Sequence, residues 1–300
     1  MKSKRNAIII ALLVIVIGSG ILIIGNKSNS RNGGLQVVAA ENFWGNIAEQ
    51  IGGSHIKVTS IISNPNTDPH LYESDAHDAG AISSANIVIE NGLGYDDFMD
   101  KIMAASPNSQ RQVLSAAKIL NITGDDPNPH LWYDIPRVPE VADAIEQALA
   151  AKDPKDASTY AANLATFNSS LQPTLTVINE IRTKYPNAPV AYTERVPGYL
   201  LADAGLDVKT PVGFASATED GDDPTPADTN TMDSLMTNHG IRVLLYNAQA
   251  TSAATVHVRN LATQAGIPII GVTETLPPSE HNYQSWQLDQ AKALLKALGG

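Results

Sequence analysis

Cysteine is absent from the 300 residues. That excludes a disulfide framework, a thiolate metal site, a cysteine nucleophile and a lipid-modified cysteine, so any metal must be held by histidine and carboxylates. Basic residues are scarce, 20 Lys and Arg against 31 Asp and Glu, and the formal charge of −11 repels a phosphate backbone and attracts cations. Nucleic acid is therefore excluded as a partner. The sequence also contains no H-E-x-x-H and no G-x-S-x-G, and Gly92-Leu93-Gly94 lacks the third glycine of a dinucleotide loop. Tandem repeats and low-complexity stretches are missing too. What remains, with 43% hydrophobic residues, is enough for about two globular domains.

One long apolar run is present. Lys2, Lys4 and Arg5 precede residues 7–25, nineteen positions without a charge, which suffice to cross a bilayer core of about 30 Å. The basic flank predicts a cytoplasmic N-terminus and an exported remainder. No clear A-x-A cleavage site follows, so the segment reads as an uncleaved anchor rather than a signal peptide, with residues 26–34 as the linker.

From residue 35 onward, short apolar runs at 36–39, 55–62, 85–90, 188–192, 243–246 and 267–272 alternate with helical patterns at 43–51, 138–150 and 254–265. That alternation predicts βαβ units and parallel sheets. In the middle, Tyr160, Leu164, Phe167, Leu171, Leu175, Ile178 and Ile181 recur at three- and four-residue spacing. They predict one helix over 156–184, about 40 Å long and bent at Pro173. The expected architecture is α/β: an anchor and linker at 1–34, an N-terminal lobe at 35–155, a connecting helix at 156–184 and a C-terminal lobe at 185–300. Such lobes aim the carboxyl ends of both sets of strands at a shared cleft. Residues 218–230, rich in turn formers, read as a surface loop.

Two segments repeat a pattern: Asp68-Pro69-His70-Leu71-Tyr72 and Asn128-Pro129-His130-Leu131-Trp132. In each, a short polar residue and a proline constrain the backbone just before the histidine, which suits a metal ligand. A ligating imidazole needs a partner for its other nitrogen, and Glu73, Asp75 and Asp134 are nearby candidates. His55, His77, His239, His257 and His281 lack this context and read as surface residues.

The segments DPHLYE at 68–73, SANIVIENGLGYDDFM at 84–99 and NPHLWYD at 128–134 closely resemble the solute-binding proteins of zinc and manganese ABC importers. The likeness runs from about residue 35 to the C-terminus. It implies two α/β lobes joined by one rigid helix, with a metal held in the cleft by four side chains, two from each lobe. Carried over position by position, the ligands are His70, His130, Glu194 after the first strand of the second lobe, and Glu274 after the last strand. Glu274 stands where the family commonly has Asp, and His281 is the alternative fourth ligand.

Two imidazoles and two carboxylates suit manganese better than a histidine-richer set does, although raw affinity still follows zinc. The implied function is capture of Mn2+ or Zn2+ as transported ligand outside the cell and delivery to an ABC permease and its ATPase, by a monomeric carrier that is not an enzyme. The carrier is held at the outer face of the cytoplasmic membrane through its N-terminal helix. An exported metal-dependent hydrolase and a surface adhesin on the same fold are the alternatives.

Overall fold

The computed structural model describes residues 34–64, 67 and 72–300. The predicted anchor at 7–25, nearly all of the linker, and His70 lie outside the described residues. Among the described residues, no helix is long and apolar enough to cross a membrane.

The first lobe carries β1 (Leu35–Glu41), α1 (Asn42–Gly52), β2 (Ile56–Ile62), α2 (Ala76–Ser84), β3 (Ile87–Glu90), α3 (Phe98–Ala105), β4 (Gln112–Ser115), α4 (Ala116–Ile119) and α5 (Val138–Lys152). Two segments, α6 (Ala157–Ser170) and α7 (Gln172–Lys184), connect it to the second lobe. That lobe carries β5 (Pro189–Tyr192), α8 (Gly198–Asp203), β6 (Asp207–Val208), α9 (Val212–Glu219), α10 (Pro226–Thr237), β7 (Val243–Asn247), α11 (Ala253–Gln264), β8 (Ile269–Val272) and α12 (Tyr283–Ala297). Each lobe is a four-stranded parallel sheet, ordered β2-β1-β3-β4 and β6-β5-β7-β8, so the second repeats the topology of the first. The strand order reverses between β1 and β3 and between β5 and β7, and the crevice at their carboxyl ends is where such sheets take ligands.

The central strands β1, β3, β5 and β7 are covered on both faces, so their middles are continuous apolar runs rather than alternating apolar with polar. Val37 and Ala39 face a core shared with α1, α5, Trp132 and Trp286, whereas Val38 and Ala40 face a smaller core with Ile82, Phe98 and Met99. In the second lobe, Ala191 and Leu244 pack outward against Phe214, Met232, Met236 and Val258. The larger core runs on through Ile178, Ile181, Tyr283 and Leu294, joining the two lobes into one apolar body.

The connection is helical on both sides of Leu171, whose backbone stays right-handed at φ −79 and ψ −17. The interruption therefore falls two residues before Pro173. The proline sits in the first turn of α7, where its missing N–H removes no helix bond. A second difference concerns the expected surface loop at 218–230. Thr218 and Glu219 are buried at the end of α9, and α10 begins at Pro226, N-capped by Thr225, whose hydroxyl accepts the Asp228 N–H at 3.2 Å. Only 220–225 form the loop.

Side-chain amides join the lobes by standing in for backbone. Asn42 donates to the Leu276 carbonyl at 2.8 Å and accepts its N–H at 2.9 Å. Tyr133 donates to the Thr273 carbonyl at 2.9 Å, and Tyr283 to the Trp132 carbonyl at 2.5 Å.

Candidate metal centre

His130 lies in the segment between α4 and α5, and its ring is wholly buried between aromatic neighbours. The Tyr95 ring is edge-on at 5.8 Å and that of Trp132 at 5.2 Å, and Trp132 itself stacks on Phe43 at 4.1 Å. Asn128 determines the tautomer. Its Nδ2 donates to the Arg195 carbonyl at 2.9 Å, so its Oδ1 faces His130 Nδ1 at 2.6 Å and must accept from it. Nδ1 then carries a proton, and in the neutral ring the lone pair sits on Nε2. Glu219 Oε1 stands 3.7 Å from the same Nδ1. The polar groups beside His130 Nδ1 are therefore Asn128 and Glu219 rather than Asp134, while Glu73 and Asp75 are exposed and Asp75 caps α2.

Glu219 is itself clamped. It accepts the Arg195 N–H at 3.0 Å and ion-pairs with the Arg195 guanidinium at 2.6 Å, while Arg195 also reaches Asp126 at 3.0 Å. Burial and the partnership with a fixed guanidinium keep this carboxylate beside the imidazole.

The two second-lobe carboxylates follow the carboxyl ends of β5 and β8. The Thr193 N–H donates to the Leu245 carbonyl at 3.0 Å, extending the β5–β7 pairing just far enough to set Glu194 beside Asn247, the last residue of β7. Asn247 Nδ2 donates to Glu194 Oε2 at 2.6 Å and to Glu274 Oε1 at 2.7 Å. Gln249 accepts the N–H groups of Glu274 and, at 2.9 Å, of Thr275, so the turn after β7 holds the loop after β8. Tyr95 reaches across from the first lobe and donates to Glu274 Oε2 at 2.9 Å. That same oxygen lies 3.8 Å from His130 Nε2. At this separation a lone pair and a carboxylate oxygen repel unless a cation or a proton lies between them.

His130, Glu194 and Glu274 are thus brought together with at most 2% of each residue exposed, whereas His281 is exposed. The other histidines expected at the surface are half-buried or exposed: His55 pairs with Asp156 at 2.9 Å and His257 with Asp233 at 3.0 Å. Among the described residues, Asp75, His77 and Asp78 also come within ligand distance of one another, but their contacts are those of a helix cap. A cavity of about 390 Å³, lined by Glu90, Asp96, Asp97, Asp100 and Lys118, opens beside the carboxyl ends of β3 and β4, away from these residues.

One imidazole and two carboxylates are thus buried together between two parallel-sheet α/β lobes joined by helices. The chain belongs to the family described as the periplasmic component A of the zinc-uptake complex, whose model matches residues 37–297. It is 30% identical over 145 residues to the manganese-binding lipoprotein MntA of Bacillus subtilis, an alignment covering 46% of this chain and 47% of that protein. It is 27% identical over 182 residues to the manganese ABC transporter substrate-binding lipoprotein PsaA of Streptococcus pneumoniae, covering 56% of this chain and 58% of that protein. The chain thus spans about half the length of the curated relatives it matches. The periplasmic zinc-binding protein TroA of Treponema pallidum shares the fold at a TM-score of 0.76, with 16% identity and coverage of 89% of this chain and 100% of that one. The protein FpvC of Pseudomonas aeruginosa, solved in complex with Mn2+, shares it at 0.74, with 22% identity and coverage of 88% and 98%.

Proposed function

We propose that the protein captures a divalent transition metal, manganese or zinc, outside the cytoplasmic membrane and delivers it to an ABC permease and its ATPase. The observation that carries this reading is the approach of His130 Nε2 to Glu274 Oε2 at 3.8 Å, with Glu194 and Glu274 held on one amide in a cleft closed to water. His70, from the matching Pro-His segment, completes the ligand set His70, His130, Glu194 and Glu274. Two imidazoles and two carboxylates neutralise a divalent ion, and burying them is favourable chiefly when the ion is present.

The protein acts as a carrier rather than an enzyme. Four protein donors leave no open position for the activated water that a catalytic metal needs. The cargo fits that of the relatives MntA and PsaA, for manganese, and of the structural neighbour TroA, which binds zinc. The lobes at 35–155 and 185–300, braced by 156–184, hold the ion as a monomer, and residues 7–25 anchor the carrier at the outer face of the membrane through the linker at 26–34.

The test is thermal unfolding after chelation, then with manganese, zinc, iron, calcium or magnesium added singly, beside a variant carrying His70→Ala and His130→Ala. A rise specific to transition metals and lost in the variant is expected. If no metal moves the midpoint, the ligand set is wrong.

A further inference from the structure

We propose that Asn128 and Gly198 form a joint through which the seating of the second lobe sets the orientation of the His130 imidazole, so that Gly198, on the opposite lobe, is a positioning residue for metal binding. This deepens the proposed function and rests on it only in taking His130 as a ligand.

Asn128 is held from both lobes. Its Oδ1 accepts the His130 Nδ1–H at 2.6 Å and the His130 backbone N–H at 3.1 Å. Its Nδ2 donates to the carbonyl of Arg195, in the second lobe, at 2.9 Å. Its own carbonyl accepts the Tyr199 hydroxyl, again from the second lobe, at 2.9 Å. The next peptide is tied to the first lobe instead, where the Pro129 carbonyl accepts Asn91 Nδ2 at 2.8 Å. One amide group thus touches the second lobe at its nitrogen and the imidazole at its oxygen.

Gly198 leaves the room that this amide needs. The Arg195 carbonyl also accepts the Gly198 N–H at 2.8 Å, so the glycine sits over the same oxygen that receives Asn128. A Cβ at Gly198 would stand 2.7 Å from Asn128 Nδ2, far inside van der Waals contact, and among the described residues Asn128 is the side chain it would meet. Gly198 opens α8 without a left-handed backbone, so the conformation itself accepts alanine. Swinging the amide aside gives up its bonds to Arg195 and to His130 together. Glu219 Oε1, 3.7 Å from Nδ1, is too distant to replace Oδ1 as acceptor without moving. The neutral ring can then place its hydrogen on Nε2, the nitrogen facing Glu274 Oε2, and in that tautomer it offers no lone pair to an ion there. Parting the lobes acts as the Cβ does, because it withdraws the Arg195 carbonyl and the Tyr199 hydroxyl from Asn128. Lobe closure and ligation by His130 are therefore coupled in both directions.

The experiment measures manganese and zinc affinities of the full chain by competition with a chelator, for the wild type, Gly198→Ala, Asn128→Ala and the double variant. Nitrogen NMR of the imidazoles in chelator accompanies it, the His130 signals being those lost in His130→Ala. Expected for Gly198→Ala is an affinity lower by about tenfold to a hundredfold, with the His130 signals moved from the Nδ1–H pattern toward Nε2–H. Adding Gly198→Ala to Asn128→Ala should cost nothing more, because the obstructed amide is already gone. A folded Gly198→Ala with wild-type affinity and ring signals would overturn the joint, and so would losses that multiply in the double variant. Should circular dichroism show Gly198→Ala unfolded, Tyr199→Phe decides. It removes one second-lobe bond to Asn128 without adding atoms, and both readings should move the same way; neither moving would overturn the joint. If the wild type binds neither ion, the assignment of His130 as a ligand has failed and the role of Gly198 in metal binding falls with it, a result distinct from a binding wild type that tolerates Gly198→Ala.

Discussion

The two lobes place acidic residues at equivalent points of equivalent sheets and treat them differently. Glu41 closes β1, and Glu194 follows β5, the strand in the same position of the second sheet. The next strand toward the cleft, β3, ends in another carboxylate, Glu90, whereas its counterpart β7 ends in the amide Asn247. In the first lobe, burial and then the charge of Asp96 push Glu41 well above the ordinary carboxylate range, and Glu90 adds to the effect. Asp96 is itself pushed up to about 6 by burial, although it accepts N–H bonds from Gly92 and Asn91. In the second lobe the amide donates to both Glu194 and Glu274. Burial beside another carboxylate raises a carboxyl's pKa, as at Glu41, whereas the neighbour that Glu194 and Glu274 share is a neutral amide donor.

The largest effect that would break this contrast comes from the carboxylates themselves. Glu274→Gln is expected to lower metal affinity by more than about a hundredfold, because it removes a ligand and not merely a ligand's partner. Glu41→Gln, at the matching level of the first lobe, is expected to leave affinity unchanged. Chelator competition on the two variants decides the matter. Equal losses would show that the first-lobe cluster also feels the ion.

Next in size is Arg195. Its removal leaves Glu219, 6% exposed, without the guanidinium that holds it beside His130. Arg195→Ala is expected to cost about 3 kcal/mol in chemical denaturation. Because Glu219 and Asn128 orient the imidazole, metal affinity should fall as well. A variant with full stability and full affinity would show the clamp to be idle.

Much of the fold could be read from the chain, because the strands that matter most are buried on both faces and spell continuous apolar runs. Expected runs at 36–39, 188–192 and 243–246 match the cores of β1, β5 and β7 within a residue or two. Missed were β4, flanked by polar Gln110 and Arg111, and β6, only two residues long; both lie at sheet edges, where little apolar pattern is needed. The reading of 218–230 as loop failed because acidic turn formers outweighed a helix-start signal that was present, Thr225-Pro226 with Asp228 three residues on. At the site, the constrained Pro-His segment pointed to His130, but Glu194 and Glu274 followed from the family resemblance alone. Asn247, Glu219 and Arg195 carried no local signal. A single amide at a strand end gains meaning only when chain segments far apart in sequence meet around it.

The pH dependence sharpens the contrast at smaller amplitude. Glu41 and Asp96 have raised values in the folded state, so the native protein holds protons that the unfolded chain releases. Their contribution is fully present below the ordinary values of 4.5 and 3.8, and it is lost as pH rises through about 6 for Asp96 and through the raised value of Glu41. Melting temperature in chelator should therefore fall between pH 5 and pH 8, and Glu41→Gln should flatten that slope. Asp134, raised to about 6 by burial, leaves a residual slope in the variant. An identical slope in both proteins would show that Glu41 ionises in the native state without cost.

The smallest expected effect concerns how each lobe starts its outer helix. In the first lobe, α5 opens with Pro139 in its first turn and has no side-chain cap. In the second, Asn282 caps α12, accepting the Ser285 N–H at 2.9 Å, while the Ser285 hydroxyl accepts the Asn282 N–H at 3.3 Å. Asn282→Ala should cost about 1 kcal/mol in chemical denaturation, and Asn282→Gly only a few tenths. The helix start also bears on the site, because the next residue, Tyr283, donates its N–H to Asn46 at 2.9 Å and its hydroxyl to the carbonyl of Trp132, which packs on His130. If capping is purely local, metal affinity in Asn282→Ala stays at the wild-type value while stability drops. A parallel fall in affinity would show that the α12 seam transmits strain to the imidazole, and the rigid join between the lobes would then be part of how the ion is held.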